Sequence, residues 1–338
     1  MQENWSELDM ISLFSGRTGA FDTPGLIQGI GDDCAIFSGF GAHNWLATTD
    51  MLVEGVHFDR SWHPPDLLGR KSIAVNLSDI AAMGGTPLYA LASVALPPQI
   101  EKNWMKQWSI GAAAILEEFG CTLIGGDTVK GRALTINIVV LGSAKEEQTI
   151  LRRTAGVGET IYVSGNLGYA AAGLEICRQP ALFDSLTKDE LEPFTAKHLN
   201  PIPQVKLGQM LAASGLVTAM QDISDGIATD LAHICTQSGV GAEIRAELLP
   251  GADSLEKVCS RMNSGAVDLQ LSGGEDYELL FTVQKGKDEE LLALLQDEGI
   301  EKIYKVGRTV PEESVRLIST EGSRDIGFKG YQHTGSGS

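Results

Sequence analysis

The chain has 338 residues, 43% hydrophobic and 21% charged, which is enough apolar sequence for two cores and argues against wholesale disorder. Its formal charge of −18, from 26 Lys and Arg against 44 Asp and Glu, makes nucleic acid and anionic membrane surfaces poor partners. The cysteines, Cys34, Cys121, Cys177, Cys235 and Cys259, are dispersed with no CxxC pair, which argues against a disulfide framework and for small core side chains.

The chain opens Met1-Gln2-Glu3-Asn4-Trp5 without a basic and then apolar leader, and no stretch approaches the roughly 20 apolar residues of a membrane helix. A cytoplasmic protein is expected. Trp45 to Thr49 reads as a strand ending at Asp50. Asp66 to Met83 has helical spacing, with Leu67, Ile73, Leu77 and Ile80 on one side, and stops at Gly84-Gly85. Leu88 to Leu96 is strand-like, Asn103 to Phe119 helical, and Thr122 to Ile124 a short strand meeting Gly125-Gly126-Asp127. Leu134 to Leu141 is a strand rich in β-branched residues. After a polar break at Lys145-Glu146-Glu147 the pattern restarts. Thr160 to Val163 and Tyr277 to Val283 read as strands. Gly168 to Cys177, Gln204 to Ala213, Ser224 to Gln237 and Asp288 to Glu298 read as helices, and Asp184 to Glu192 as an acidic surface stretch. The fold class is a mixed α/β and α+β arrangement in two domains, residues 1–148 and 149–333, with 334–338 set aside as a flexible tail.

Neither GxxxxGK[ST] nor GxGxxG occurs, so a nucleotide enzyme built on this chain needs another way to hold phosphates. What recurs instead is carboxylate beside glycine, serine or threonine: Gly29-Ile30-Gly31-Asp32-Asp33, Thr48-Thr49-Asp50, Asn76-Leu77-Ser78-Asp79, Gly125-Gly126-Asp127, Asp222-Ile223-Ser224-Asp225-Gly226 and Ser272-Gly273-Gly274-Glu275-Asp276. Singly, each is a turn or a helix cap. Asp79 stands apart, because it lies within an apolar helix where Asp has poor propensity and no cap is available, and it shares a face with Asn76. Clustered carboxylates repel unless protonated or metal-bound. Hard oxygen ligands suit magnesium, and no His- or Cys-rich set favours zinc. Lys71 lies two turns before Asp79; Arg152 and Arg153 could clamp a phosphate.

The segments GIGDDCA, TTDMLVEGVHF, KSIAVNLSDIAAMGGTP, LIGGDT, DISDGIATDLAHI and LSGGEDYELLFTV, from Gly29 to Val283, resemble the thiamine-monophosphate kinase family, of the aminoimidazole ribonucleotide synthetase-like superfamily. Lys329-Gly330-Tyr331 resembles the family's C-terminal end. The resemblance implies ATP-dependent phosphorylation of thiamine monophosphate to thiamine diphosphate, several magnesium ions, and a homodimer formed through the N-terminal sheet, with the ATP and metal site between the domains. It places metal ligands on Asp33, Thr48, Thr49, Asp50, Asp79, Asp127, Asp222 and Asp225. It places ATP contacts on Gly126, Asp127, Arg153 and Ser224, and substrate contacts on His57, Glu275 and Phe328, the last where the family usually carries Trp. No residue is implied as a proton carrier. The alternatives are another enzyme of the superfamily, or a non-catalytic metal- or nucleotide-binding protein. Selenophosphate synthetase would want a reactive cysteine before the first Asp cluster, and the first here, Cys34, follows it.

Overall fold

A computed structural model describes residues 24–39, 41–262 and 264–330. The expected tail 334–338 and Tyr331 lie outside the described residues. In chain order the first half runs β1 (Leu26–Gln28), β2 (Ala35–Ser38), β3 (His43–Val53), α1 (Pro65–Ala82), β4 (Thr86–Leu96), α2 (Lys102–Glu118), β5 (Thr122–Lys130) and β6 (Thr135–Lys145). These strands form one sheet in the order β1-β2-β3-β6-β4-β5, and only β4 and β5 run parallel.

The second half continues with β7 (Thr160–Val163), α3 (Tyr169–Arg178), α4 (Lys188–Leu199), α5 (Val205–Ser214), β8 (Val217–Asp222), α6 (Ile227–Ser238), β9 (Gly241–Arg245), α7 (Ala252–Cys259), α8 (Ala266–Ser272), β10 (Leu279–Val283), α9 (Asp288–Asp297), β11 (Tyr304–Val310), β12 (Val315–Ser319) and β13 (Gly322–Asp325). Its sheet has the order β13-β12-β9-β11-β7-β10-β8, parallel only at β9–β12. Both sheets are therefore mostly antiparallel, and no strand is shared between them. The five cysteines are unpaired and four of them are buried. No helix among the described residues is long and apolar enough to cross a membrane.

Helix α1 organises the molecule. Nearly every side is buried, with Leu68, Ile73, Leu77, Ile80 and Ala81 at or near zero exposure, as expected of a helix enclosed all round. One side packs on the first sheet through Leu46, Ile136, Ile138 and Val140. The same continuous core takes in Leu207 and Leu211 of α5 and Phe281 of β10, so it joins the two halves. α5 comes so close that a Cβ on Gly208 would lie 2.1 Å from the Ala81 carbonyl oxygen, and only glycine fits. Polar groups carried by such a helix are costly unless partnered, which makes Lys71, Ser72, Asn76, Ser78 and Asp79 worth following.

Three expectations change in extent. β3 and β5 run longer than their apolar segments suggest, because the ladder continues through Asp50 to Val53 and through Gly125-Gly126-Asp127. The acidic 184–192 stretch, taken as surface, contains the start of α4, whose N-cap Thr187 and Glu190 form a reciprocal capping box.

Candidate active site

Carboxylates from several of these motifs meet at the C-terminal half of α1. Carboxylate oxygens of Asp33, Asp79 and Asp222 lie within 4.8 Å of one another. They come from the loop before β2, from α1 and from the end of β8, so both domains contribute. Hydroxyls bracket the cluster: Thr48 of β3 donates to Asp79 Oδ2, and Ser78 donates to Asp222 Oδ2 at 2.6 Å across the domain boundary. Asn76 Oδ1 accepts the Asp50 N–H at 3.0 Å, tying α1 to the β3 backbone beside the cluster. The arginine in the cluster is Arg152, whose guanidinium donates to Asp33 and lies 3.8 Å from Asp32. Arg153, the arginine favoured from the sequence, instead donates to Gln28 Oε1 at 2.6 Å in an exposed position.

Burial and mutual repulsion set the electrostatics. Desolvation raises Asp33, Asp79 and Asp222 above the usual carboxylate range. Asp50, Asp222 and Asp33 push Asp79 up further, and Asp33 does the same to Asp222. The Arg152 charge opposes the rise at Asp33. Asp32 is pushed up to about 6 by burial and by Asp33. A group of acids that resist ionising together is a site short of positive charge.

Beside the cluster lies a cleft of about 340 Å³ lined by Asp50, His57, Ser224, Asp225 and Glu275, with apolar walls that include Val56, Leu174 and Leu269. Asp50 joins the two regions, since it lines the cleft and also repels the Asp79 and Asp222 carboxylates. His57 Nδ1 accepts the Val53 N–H at 3.1 Å. The Asp225 N–H donates to Asp230 Oδ2 at 3.2 Å. Phe328 does not line this cleft. It is 38% exposed, at φ +54°, and edge-on to His233 with centroids 5.3 Å apart. Its segment is tied to α6 by the Gly330 N–H, which donates to Thr229 Oγ1 at 2.8 Å.

Three expected residues lie elsewhere. Asp127 pairs across the sheet with Ser93 and, through it, with Asn137 and Met51. That row shares the face carrying Thr49, whereas Leu46, Thr48 and Leu52 alternate to the buried face. Asp127 is exposed and, among the described residues, accepts its neighbour Thr128 N–H at 2.8 Å. Gly126 lies tight against β4, for a Cβ there would lie 1.8 Å from Ala92 O. Thr49 Oγ1 donates to Ile138 O at 3.1 Å. Sequence reasoning missed Ser78 as a cross-domain donor, although it sits inside the Asn-Leu-Ser-Asp motif. It also missed His198, whose position beside Glu275 has no local signal.

Comparison with known proteins follows the same division. Residues 31–144 match the AIR synthase related protein, N-terminal domain, and residues 156–319 match the AIR synthase related protein, C-terminal domain. A thiamine-monophosphate kinase of Buchnera aphidicola subsp. Acyrthosiphon pisum is 35% identical over 97% of this chain and 99% of its own. That of Bacillus subtilis is 32% identical over the same shares. A solved structure of AaThiL complexed with AMPPCP and TMP superposes with a TM-score of 0.80 at 30% identity, covering 92% of this chain and 93% of that one. The chain belongs to the thiamine-monophosphate kinase family of AIR synthase related proteins.

Proposed function

We propose that this chain transfers the γ-phosphoryl group of ATP to thiamine monophosphate, giving thiamine diphosphate, in the cleft beside the Asp33, Asp79 and Asp222 cluster. The observation that carries the reading is the meeting, at Asp50, of a buried three-carboxylate cluster with a cleft that holds His57, Ser224, Asp225 and Glu275. A relative that covers nearly the whole chain bears the kinase name, and a neighbour of the same fold is complexed with AMPPCP and TMP.

The acceptor is a phosphate monoester whose second pKa is about 6, so it is largely dianionic near neutrality and needs no general base. The obstacle is repulsion between two anionic groups. The donor set fits magnesium, since carboxylate oxygens from Asp33, Asp79 and Asp222 converge with the hydroxyls of Thr48 and Ser78 at hand. Magnesium bound there supplies the positive charge that offsets this repulsion. Asp50 and Asp225 would extend the oxygen donors toward the cleft, and Ser224 would meet the ATP phosphates. Arg152 sits among the carboxylates and is better placed than Arg153 to answer phosphate charge. His57 and Glu275 position the thiamine phosphate. Phe328 would join them from the segment tied to α6.

A homodimer through the first sheet completes the reading. Every residue of β5 is exposed, including Leu123, Ile124 and Val129 at about half exposure, and an open apolar edge strand calls for a partner. Thr49, Gly126 and Asp127 lie on the part of the sheet that a second copy would cover. Their proposed metal and ATP roles therefore go with the dimer. ATP as co-substrate and five unpaired thiols support a cytoplasmic setting.

The test is to incubate the protein with ATP, magnesium and thiamine monophosphate and to follow thiamine diphosphate by chromatography, with EDTA and free-thiamine controls. Product that requires both magnesium and the monophosphate is expected. Release of inorganic phosphate without thiamine diphosphate would overturn the reading.

A further inference from the structure

Glu275 enters the cleft on a backbone that does not favour it. Its φ is +68° and that of Tyr277 is +48°, both in the left-handed region where non-glycine residues are strained. Two backbone bonds hold this loop, Glu275 N–H to Ser224 O at 2.7 Å and Tyr277 N–H to Ile223 O at 2.8 Å. The side chain is held from behind. Lys71 Nζ donates to Glu275 Oε2 at 3.0 Å and to the His198 carbonyl oxygen at 3.0 Å. His198 Nδ1 lies 3.1 Å from the same Oε2. Among the described residues no hydrogen bond is present at Oε1, and Glu275 lines the cleft with 23% of its side chain exposed.

Lys71 is wholly buried and heads the set of large enclosed side chains. Its neighbours on α1 are Leu68, Ile73, Ala74 and Val75. An ammonium in such surroundings is costly even when paired, and a well-packed apolar residue is commonly as stable or more so. A stability role alone therefore explains it poorly. α1 also carries Asn76, Ser78 and Asp79, so one rigid helix holds the carboxylate cluster at its far end and Glu275 from its near end.

We propose that Lys71, backed by His198, is a positioning residue for thiamine monophosphate: it grips Glu275 by Oε2 and leaves Oε1 to accept from the cationic, amino-bearing organic half of the substrate. The inference rests on the reading of Glu275 as a substrate contact. A carboxylate held at one oxygen keeps a strong acceptor at the other. Its direction is set by a wholly buried, doubly bonded side chain, which is what separates a merely present contact from a precise one.

The test compares Lys71→Met, Glu275→Gln and the double variant by steady-state kinetics, with thermal melting to follow folding. Each single variant is expected to raise KM for thiamine monophosphate about tenfold or more and to leave KM for ATP within about twofold. The double variant is expected to be no worse than the worse single variant, because both remove one interaction. If Lys71→Met raises KM for ATP equally, or if the two effects multiply in the double variant, Lys71 serves packing and the inference fails. If Glu275→Gln leaves KM for thiamine monophosphate unchanged, the substrate reading itself fails. If Glu275→Gln raises it and Lys71→Met does not, only the Lys71 inference fails. Should Lys71→Met not fold, the charge-balanced double variant is compared with Glu275→Gln, where equal KM supports the inference and a further rise overturns it.

Discussion

Replacing Asp222 by Asn separates a functional carboxylate cluster from a structural one. Asp222 is 2% exposed, its oxygens lie within 4.8 Å of those of Asp33 and Asp79, and Ser78 donates to it. An Asn Oδ1 can keep the Ser78 bond, so the substitution removes mainly charge. Two ionised carboxylates at 4.8 Å repel by about 3 kcal/mol at an effective dielectric near 20. The folded protein avoids this by holding protons, but each unit of raised pKa still represents about 1.4 kcal/mol of lost stability near neutrality. Asp222→Asn is therefore expected to stabilise the magnesium-free protein by on the order of 2 kcal/mol, a rise of roughly 3 °C in melting midpoint for a chain of this length. The same variant is expected to lose at least about tenfold in turnover, or 1.4 kcal/mol of transition-state stabilisation, and to lose most of the midpoint rise that magnesium gives the parent. The assays are thermal melts with EDTA and with magnesium, and thiamine diphosphate formation. A variant that is destabilised without metal, yet keeps its magnesium response and its turnover, would refute the reasoning. Asp222 would then be a structural acceptor for Ser78.

The same electrostatics give a pH dependence with a definite sign. Asp32, Asp33, Asp79 and Asp222 have folded pKa values above their unfolded ones, so their contribution is present at low pH and is lost as pH rises through the folded values. Magnesium should therefore raise the melting midpoint more at about pH 8 than at about pH 5.5, and an equal or reversed difference in melting scans would contradict this. His63 and His233, held down to about 3 and about 4 by burial, act oppositely. Their contribution is intact above about 6.5 and is lost as pH falls, and the difference with and without magnesium isolates the carboxylates. Asp50→Asn should depress turnover by more than about tenfold; unchanged turnover at saturating magnesium would remove Asp50 from the site. Gly126→Ala forces a Cβ against Ala92 O and should cost about 2 kcal/mol or more and weaken any dimer built on β5, as read by melting and sedimentation. Thr187→Ala removes a capping box remote from the site, and should cost about 1 kcal/mol with turnover unchanged.

What could be read in the sequence, and what could not, follows from how far each signal reaches along the chain. α1 was legible because an apolar run of helical period carries its own evidence, and Asp79 within it was legible because a mid-helix carboxylate lacks the local excuse of a cap. β8 and β9 were not picked out: β8 mixes polar Thr218 and Gln221 among its apolar residues, and its place was decided by pairing with Leu279 to Val283 far along the chain. α4 hid behind its acidic composition and Pro193, although Thr187 and Glu190 spelled its start.

The site divides in the same way. Motifs named Asp33, Asp79 and Asp222 individually, but only the fold shows that three segments distant in sequence put their oxygens together. Conversely, Thr48-Thr49-Asp50 reads as one motif, whereas strand alternation splits it. Thr48 turns inward to Asp79, and Thr49 turns to the opposite face, in the row family of Asp127. A contiguous motif on a strand thus divides its side chains between two opposite faces. Among the described residues Thr49, on the outer half, bonds Asn137 and Ile138 rather than a carboxylate. Physical alternation therefore leads to the expectation that a second copy meets this face, and that Asp127→Asn would lower turnover without changing the metal-free stability that Asp222→Asn raises. A rise in stability from Asp127→Asn comparable to that from Asp222→Asn would place both carboxylates in one cluster and refute the split.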